Sequence, residues 1–140
     1  MEIVSNNYYA HSGDESDKSD WQLLSDHLQR VGQQARENAR YFDAGELAEI
    51  SGLLHDLGKY TKAFQQRLEG GPRVDHATAG AQLAVKKWEQ LGKILAYIVA
   101  GHHAGLANGI DEGSSRSTLK ERLEKQIVEL DKICLLYTSD

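Results

Sequence analysis

The chain has 140 residues, long enough for one domain with a genuine core and too short for two. Its 16 basic side chains stand against 21 acidic ones, a net charge of −5, which excludes a basic protein that coats phosphate backbones; any nucleic-acid contact must be local. A single cysteine, Cys134, rules out an internal disulfide, the opening lacks a basic-then-apolar signal region, and the longest apolar run, Ile94 to Ala100, is too short to span a bilayer, so a cytoplasmic protein without membrane contact is expected.

Residues 1–20 are polar and acidic and read as a loop, with His11 and Ser12 inside it. His11 is either a solvated loop residue or part of a segment that folds back beside a functional site. Asp20 is a plausible N-cap for a helix carrying Trp21, Leu24, Leu28, Val31, Ala35 and Ala39 on one face, and His27 borders that stripe. Asp43 and Glu46 read as a capping box for the next helix, whose Leu47, Ile50, Leu54 and Leu57 face inward until Gly58 ends it. This places His55 and Asp56 in a last turn, about 100° apart around the axis. Lys59 follows three residues after Asp56. Lys62 and Arg67 read as a solvated helix face, and Arg73 stands beyond the break at Gly70-Gly71-Pro72.

Past that break, Asp75 caps a helix through Ala77, Ala81, Ala84, Val85, Trp88 and Leu91, with His76 in its first turn and Gly92 as its stop. Small residues at 77 and 79–81 let it approach a neighbour closely. The next helix, Ile94 to His103, is apolar nearly all round, as a central helix would be, and ends on His102 and His103. Asn108 to Ser117 form a flexible connection. Thr118 with Glu121 then starts a last amphipathic helix through Leu119, Leu123, Ile127 and Leu130, while residues 134–140 read as a non-native or truncated tail. No strand-like alternation of useful length occurs. The pattern is all-α, one bundle of five to six helices over residues 21–133.

Five of the six histidines, His27, His55, His76, His102 and His103, fall at element ends or beside apolar stripes; His11 is the sixth. Asp56 in an apolar neighbourhood needs compensation, and a divalent cation with imidazole ligands supplies it. A capped helix terminus accounts for the His55-Asp56 pair alone; it does not account for the whole set.

The order His27, His55-Asp56, His76, His102-His103 resembles the HD superfamily of metal-dependent phosphohydrolases. The stretches Tyr9-Ala10-His11-Ser12, Gly52 to Tyr60, Phe64-Gln65, Val74-Asp75-His76 and Gly101-His102-His103-Ala104-Gly105-Leu106 are similar to the HD nuclease domain of the type I CRISPR-associated helicase-nuclease. That resemblance implies a two-metal nuclease cutting mainly single-stranded DNA in CRISPR interference and antiviral defence. Its partners would be a helicase domain, in the same polypeptide or a separate chain, and the RNA-guided CRISPR surveillance complex. It implies that His27, His55 and Asp56 hold one metal and that Asp56, His76, His102 and His103 hold the other. Asp56 and Lys59 are then the catalytic residues, and Lys59, Arg73, His11 and Ser12 contact substrate. Histidine-rich ligation favours Mn, Fe, Co or Ni over Mg. The family's first metal takes a further Asp from downstream; Asp111 comes too early and Asp131 lacks a matching context. The chain is therefore expected to bind the second metal better than the first and to be weak or inactive alone. Two alternatives remain: another HD phosphohydrolase acting on nucleotides or cyclic nucleotides, and an inactive helical interaction module. The Gly-Tyr-Pro motif of cyclic dinucleotide enzymes is missing, since Pro72 is the sole proline.

Overall fold

A computed structural model describes residues 8–103, 105, 106 and 118–127. The expectations for residues 108–117, Asp111, Leu130, Asp131 and the tail lie outside these. The chain forms short strands β1 (Tyr9–His11) and β2 (Gln22–Leu23), then helices α1 (Leu24–Ala39), α2 (Gly45–Leu54), α3 (Lys62–Leu68), α4 (Thr78–Gly101) and α5 (Leu119–Glu124). Single 3-10 turns, Arg40–Phe42 and Leu57–Tyr60, flank α2. The fold is all-α with one small antiparallel ribbon, Tyr9 opposite Leu23 and His11 opposite Gln22. No described helix is long and apolar enough to cross a membrane.

Leu24, Leu28, Leu57, Leu95 and Val99 are wholly buried and form the core with Leu54, Leu83, Ala84 and Leu119. Burying such side chains contributes about 1.5–3 kcal/mol each. Glycines set the closest approaches. A Cβ on Gly52 would stand 2.7 Å from Gly32 Cα, so α1 and α2 cross backbone to backbone. A Cβ on Gly80 would reach the Leu54 carbonyl and Val99, which seats the start of α4 against the end of α2.

Several expected boundaries move. β2 intervenes between Asp20 and α1, whose N-cap is Leu23; the Asp20 carboxylate instead accepts the Asp14 and Glu15 amides and ties up the loop. The Asp43–Glu46 box does not form, because the 3-10 turn leaves Asp43 left-handed at φ 56° and puts Ala44 at the N-cap. Helix α2 stops at Leu54 with His55 as its C-cap, so Asp56 (φ −114°, ψ 22°) leaves the helix and the chain runs on through a 3-10 turn containing Gly58.

The two expected helices around Gly92 form α4, broken at Glu89 (φ 45°, ψ −107°) rather than at Gly92. Gly92 is needed for another reason: a Cβ there would strike the Ala84 carbonyl and Val85 Cα, where the second arm folds back on the first. That second arm is not enclosed all round, since Leu91, Ile94 and Ile98 lie on an exposed side. The Thr118–Glu121 capping box forms as expected at the start of α5, which is shorter than expected and ends at Glu124.

Candidate metal centre

Each site residue sits where a helix begins or ends. His27 lies in the first turn of α1; His55 closes α2; His102 and His103 follow the last residue of α4. His76 precedes α4 rather than lying in its first turn, because Asp75 caps from a distance: its Oδ1 accepts the Ala77 and Thr78 amides and its Oδ2 accepts the Thr78 hydroxyl. Gly58 lets the backbone after Asp56 touch that of His76, with the Gly58 N–H donating to the His76 carbonyl at 3.1 Å and no room for a Cβ.

The result is five imidazoles around one carboxylate. Asp56 Oδ2 lies 3.1 Å from His27 Nε2 and 3.2 Å from His55 Nε2, and those two nitrogens are 3.3 Å apart. Its other oxygen, Oδ1, lies 3.2 Å from His102 Nε2, 3.5 Å from His76 Nε2 and 3.7 Å from His103 Nε2; His76 and His103 approach to 2.7 Å. The described residues thus offer two ligand groups, His27–His55–Asp56 and Asp56–His76–His102–His103, sharing Asp56.

Hydrogen bonding decides which ring nitrogens are free to bind. The Nδ1–H of His55 donates to the Gly52 carbonyl, that of His76 to Val74 and that of His102 to Val99. A carbonyl can only accept, so the neutral rings must present a bare Nε2 lone pair to Asp56. This is the second-shell arrangement that fixes histidine tautomers in metal sites. Burial lowers the pKa of His27 and His76, and of His103 with help from repulsion by His102, which keeps these rings neutral. Burial works against the charged form of His55 too, but its hydrogen bonds to Asp56 and Gly52 outweigh this and raise its pKa. Burial alone would raise the Asp56 carboxyl, yet His102 and His55, donating from Nε2 whenever that nitrogen carries a proton, and the Lys59 ammonium hold it far below the usual carboxylate range.

The spacings also fit a cation. Bonds of about 2.1 Å to a tetrahedral or octahedral ion put neighbouring ligand atoms about 3.0–3.4 Å apart. All three distances in the His27 group fall in that interval, and the second group brackets it.

Lys59, only 4% exposed, donates to Asp56 Oδ2 at 3.0 Å and to the Ala10 carbonyl at 3.1 Å, joining β1 to the centre. Gln65 holds the same strand, accepting from Tyr9 N and donating to Tyr9 O and Lys59 O. Phe64-Gln65 stands within the motif text, but only the fold shows the amide acting as a surrogate strand edge. His11 is thereby brought back to the site, edge-on to the His27 ring at a centroid distance of 5.0 Å, with its pKa lowered by burial and by Lys59. Ser12 and His11 line a cavity of about 340 Å³ with Lys59, Phe64 and Arg67; Arg67 is exposed, as expected of a solvated helix face, and its guanidinium donates to the Gly71 carbonyl. Arg73 is exposed, and no described residue holds it at the centre.

A family model, HD domain, matches residues 24–135. No curated protein matches the chain.

Proposed function

Since the chain belongs to the HD-domain family, whose members are metal-dependent phosphohydrolases, we propose that it is a nuclease that hydrolyses the phosphodiester bonds of single-stranded DNA with two divalent transition-metal ions. The supporting observation is the pair of ligand groups hinged on Asp56, joined to the text Tyr9-Ala10-His11-Ser12 and Gly101-His102-His103 that resembles CRISPR-associated nuclease domains. Two cations held there supply Lewis acidity toward the attacked phosphate, the attacking water and the leaving alkoxide. Imidazole ligands suit Mn, Fe, Co or Ni better than Mg.

The chain's own residues divide the remaining work. Asp56 spans the two groups and fixes their separation. Lys59 orients Asp56 and anchors β1 with two of its three N–H groups, and it also lines the His11–Ser12 cavity, where the third meets a phosphate oxygen. His11, Ser12 and Arg67 carry the strand away from the cut on that side. Arg73 contributes weak screening of the DNA from the surface. The His27 group has three protein ligands among the described residues and the His76 group four, which supports tighter binding at the second site. The setting we propose is CRISPR interference, with a helicase domain feeding the strand and an RNA-guided complex exposing it.

The test is incubation of labelled single-stranded DNA with the protein and Mn or Ni, against EDTA, Asp56→Ala and His102→Ala controls. Metal-dependent fragments, lost in all three controls, support the proposal. Release of phosphate or nucleoside from small nucleotides with DNA left intact would move the chain to the nucleotide-hydrolysing branch.

A further inference from the structure

The proposed nuclease reading leaves α5 without a task, yet this helix is firmly attached beside the centre. Gln82 Nε2 donates to the Arg122 and Lys125 carbonyls, the Arg122 guanidinium donates to the Ala100 carbonyl at 2.6 Å, and Lys125 pairs with Asp75 at 3.0 Å. Between α5 and residues 74–77 lies a second cavity of about 340 Å³, which is also lined by His76 and His103. It therefore opens directly beside the four-ligand group, on the flank away from His11 and Ser12.

Its chemistry differs from that of the first cavity. Val74, Ala77 and Ala100 give it apolar walls. Arg122 and Lys125 bring donors; Asp75 and Glu121 bring acceptors. Arg122 and Lys125 balance Asp75 and Glu121, so this cavity offers a free phosphate no net positive charge, whereas the described lining of the His11 cavity has Lys59 and Arg67 and no carboxylate. Apolar walls with both donors and acceptors suit a flat, uncharged ring system with a polar edge.

Resting on the phosphodiesterase reading, we propose that the cavity under α5 seats the nucleoside on one side of the scissile phosphate, while the His11 side carries only backbone. Base contact is thus one-sided. Arg122, Lys125 and Glu121 are specificity residues that read the ring edge, and Val74 and Ala77 pack on its face.

Two measurements test this. In calorimetric titration of the Mn-loaded protein, thymidine or deoxyadenosine 5′-monophosphate should bind at least tenfold more tightly than 2-deoxyribose 5-phosphate. Val74→Trp, which fills the cavity, and the exposed-site variant Lys125→Met should each cut that preference to threefold or less. In single-stranded DNA carrying one abasic residue, cleavage should fall at the bond on one side of the lesion and persist on the other. Equal binding of sugar phosphate and nucleotides, or an abasic effect that is symmetric or missing, overturns the nucleoside site and leaves the phosphodiesterase reading standing. Failure of every phosphate compound to bind, with no DNA cleavage, overturns both.

Discussion

Replacing Asp56 by Asn in metal-free protein isolates the electrostatics of the centre. Asp56 and Lys59 are each 5% exposed by side chain and meet at 3.0 Å. The amide preserves volume but strands the Lys59 ammonium without its counter-charge. Removing one partner of a buried pair costs about 3–5 kcal/mol, and the neutral His27, His76 and His103 rings bring no negative charge to offset it. For a chain of this size the loss corresponds to a fall in Tm on the order of 10–20 °C. Replacing Lys59 by Met should cost less, about 1–3 kcal/mol, because imidazoles around the carboxylate can take up a proton. The double variant removes both charges, so its cost should fall short of the sum by at least about 1.5 kcal/mol. The pH dependence follows the same logic. The folded carboxyl lies far below its unfolded value near 3.8, so its stabilisation is present above about pH 4 and is lost as pH falls further; Asp56→Asn should lack that acid limb. Urea unfolding in EDTA, followed by circular dichroism, measures all three variants. An Asp56→Asn protein within 1 kcal/mol of wild type, or strictly additive single variants, would refute the reasoning.

Metal analysis after dialysis should find His103→Ala lowering the content of the four-ligand site while the His27 site keeps its affinity, and Asp56→Ala losing ions from both; equal losses in the two variants would contradict a shared carboxylate. Gly58→Ala pushes a Cβ against the His76 backbone, so it should cost about 1–3 kcal/mol and weaken the four-ligand site more than the other; unchanged thermal unfolding and metal affinity would show that the contact is soft. Asp75, at the N-terminus of α4 and beside Lys125, has its carboxyl lowered to about 2 by hydrogen bonds from Thr78 and Lys125, although burial opposes this. Because it is half exposed, Asp75→Asn should cost only about 1 kcal/mol at neutral pH, and the difference from wild type should vanish as pH falls from about 4 to 2; a pH-independent difference would point to packing instead.

The helical class and the convergence of His27, His55, Asp56, His76, His102 and His103 were legible because apolar spacing and ligand-bearing motifs are local records of long-range demands. Helix starts were less so. Asp43 and Thr118 carry the same capping pattern, yet only Thr118 caps, because a 3-10 turn ahead of α2 shifts the start by one residue. Gly92 looks like a stop signal but serves a backbone contact with Ala84, while Glu89 takes the strained turn, a position no propensity would choose. Gln65 stands in the motif text but its hold on β1 is visible only in the fold, while Arg122 and Lys125 come to line the cavity beside His76 and His103 through tertiary placement, from a stretch of sequence that carries no motif.

The glycine crossing of α1 and α2 acts as the pivot of a pair of forceps. His27 lies five residues before Gly32 and His55 three after Gly52, roughly 7.5 and 4.5 Å along their helices at about 1.5 Å per residue. Main-chain atoms have no rotamers, so the jaw opening does not depend on how the hairpin's apolar side chains repack. Drift at Leu47 or Ile50 leaves the grip unchanged, whereas a single methyl on Gly52, driven into the Gly32 backbone, spreads both tips.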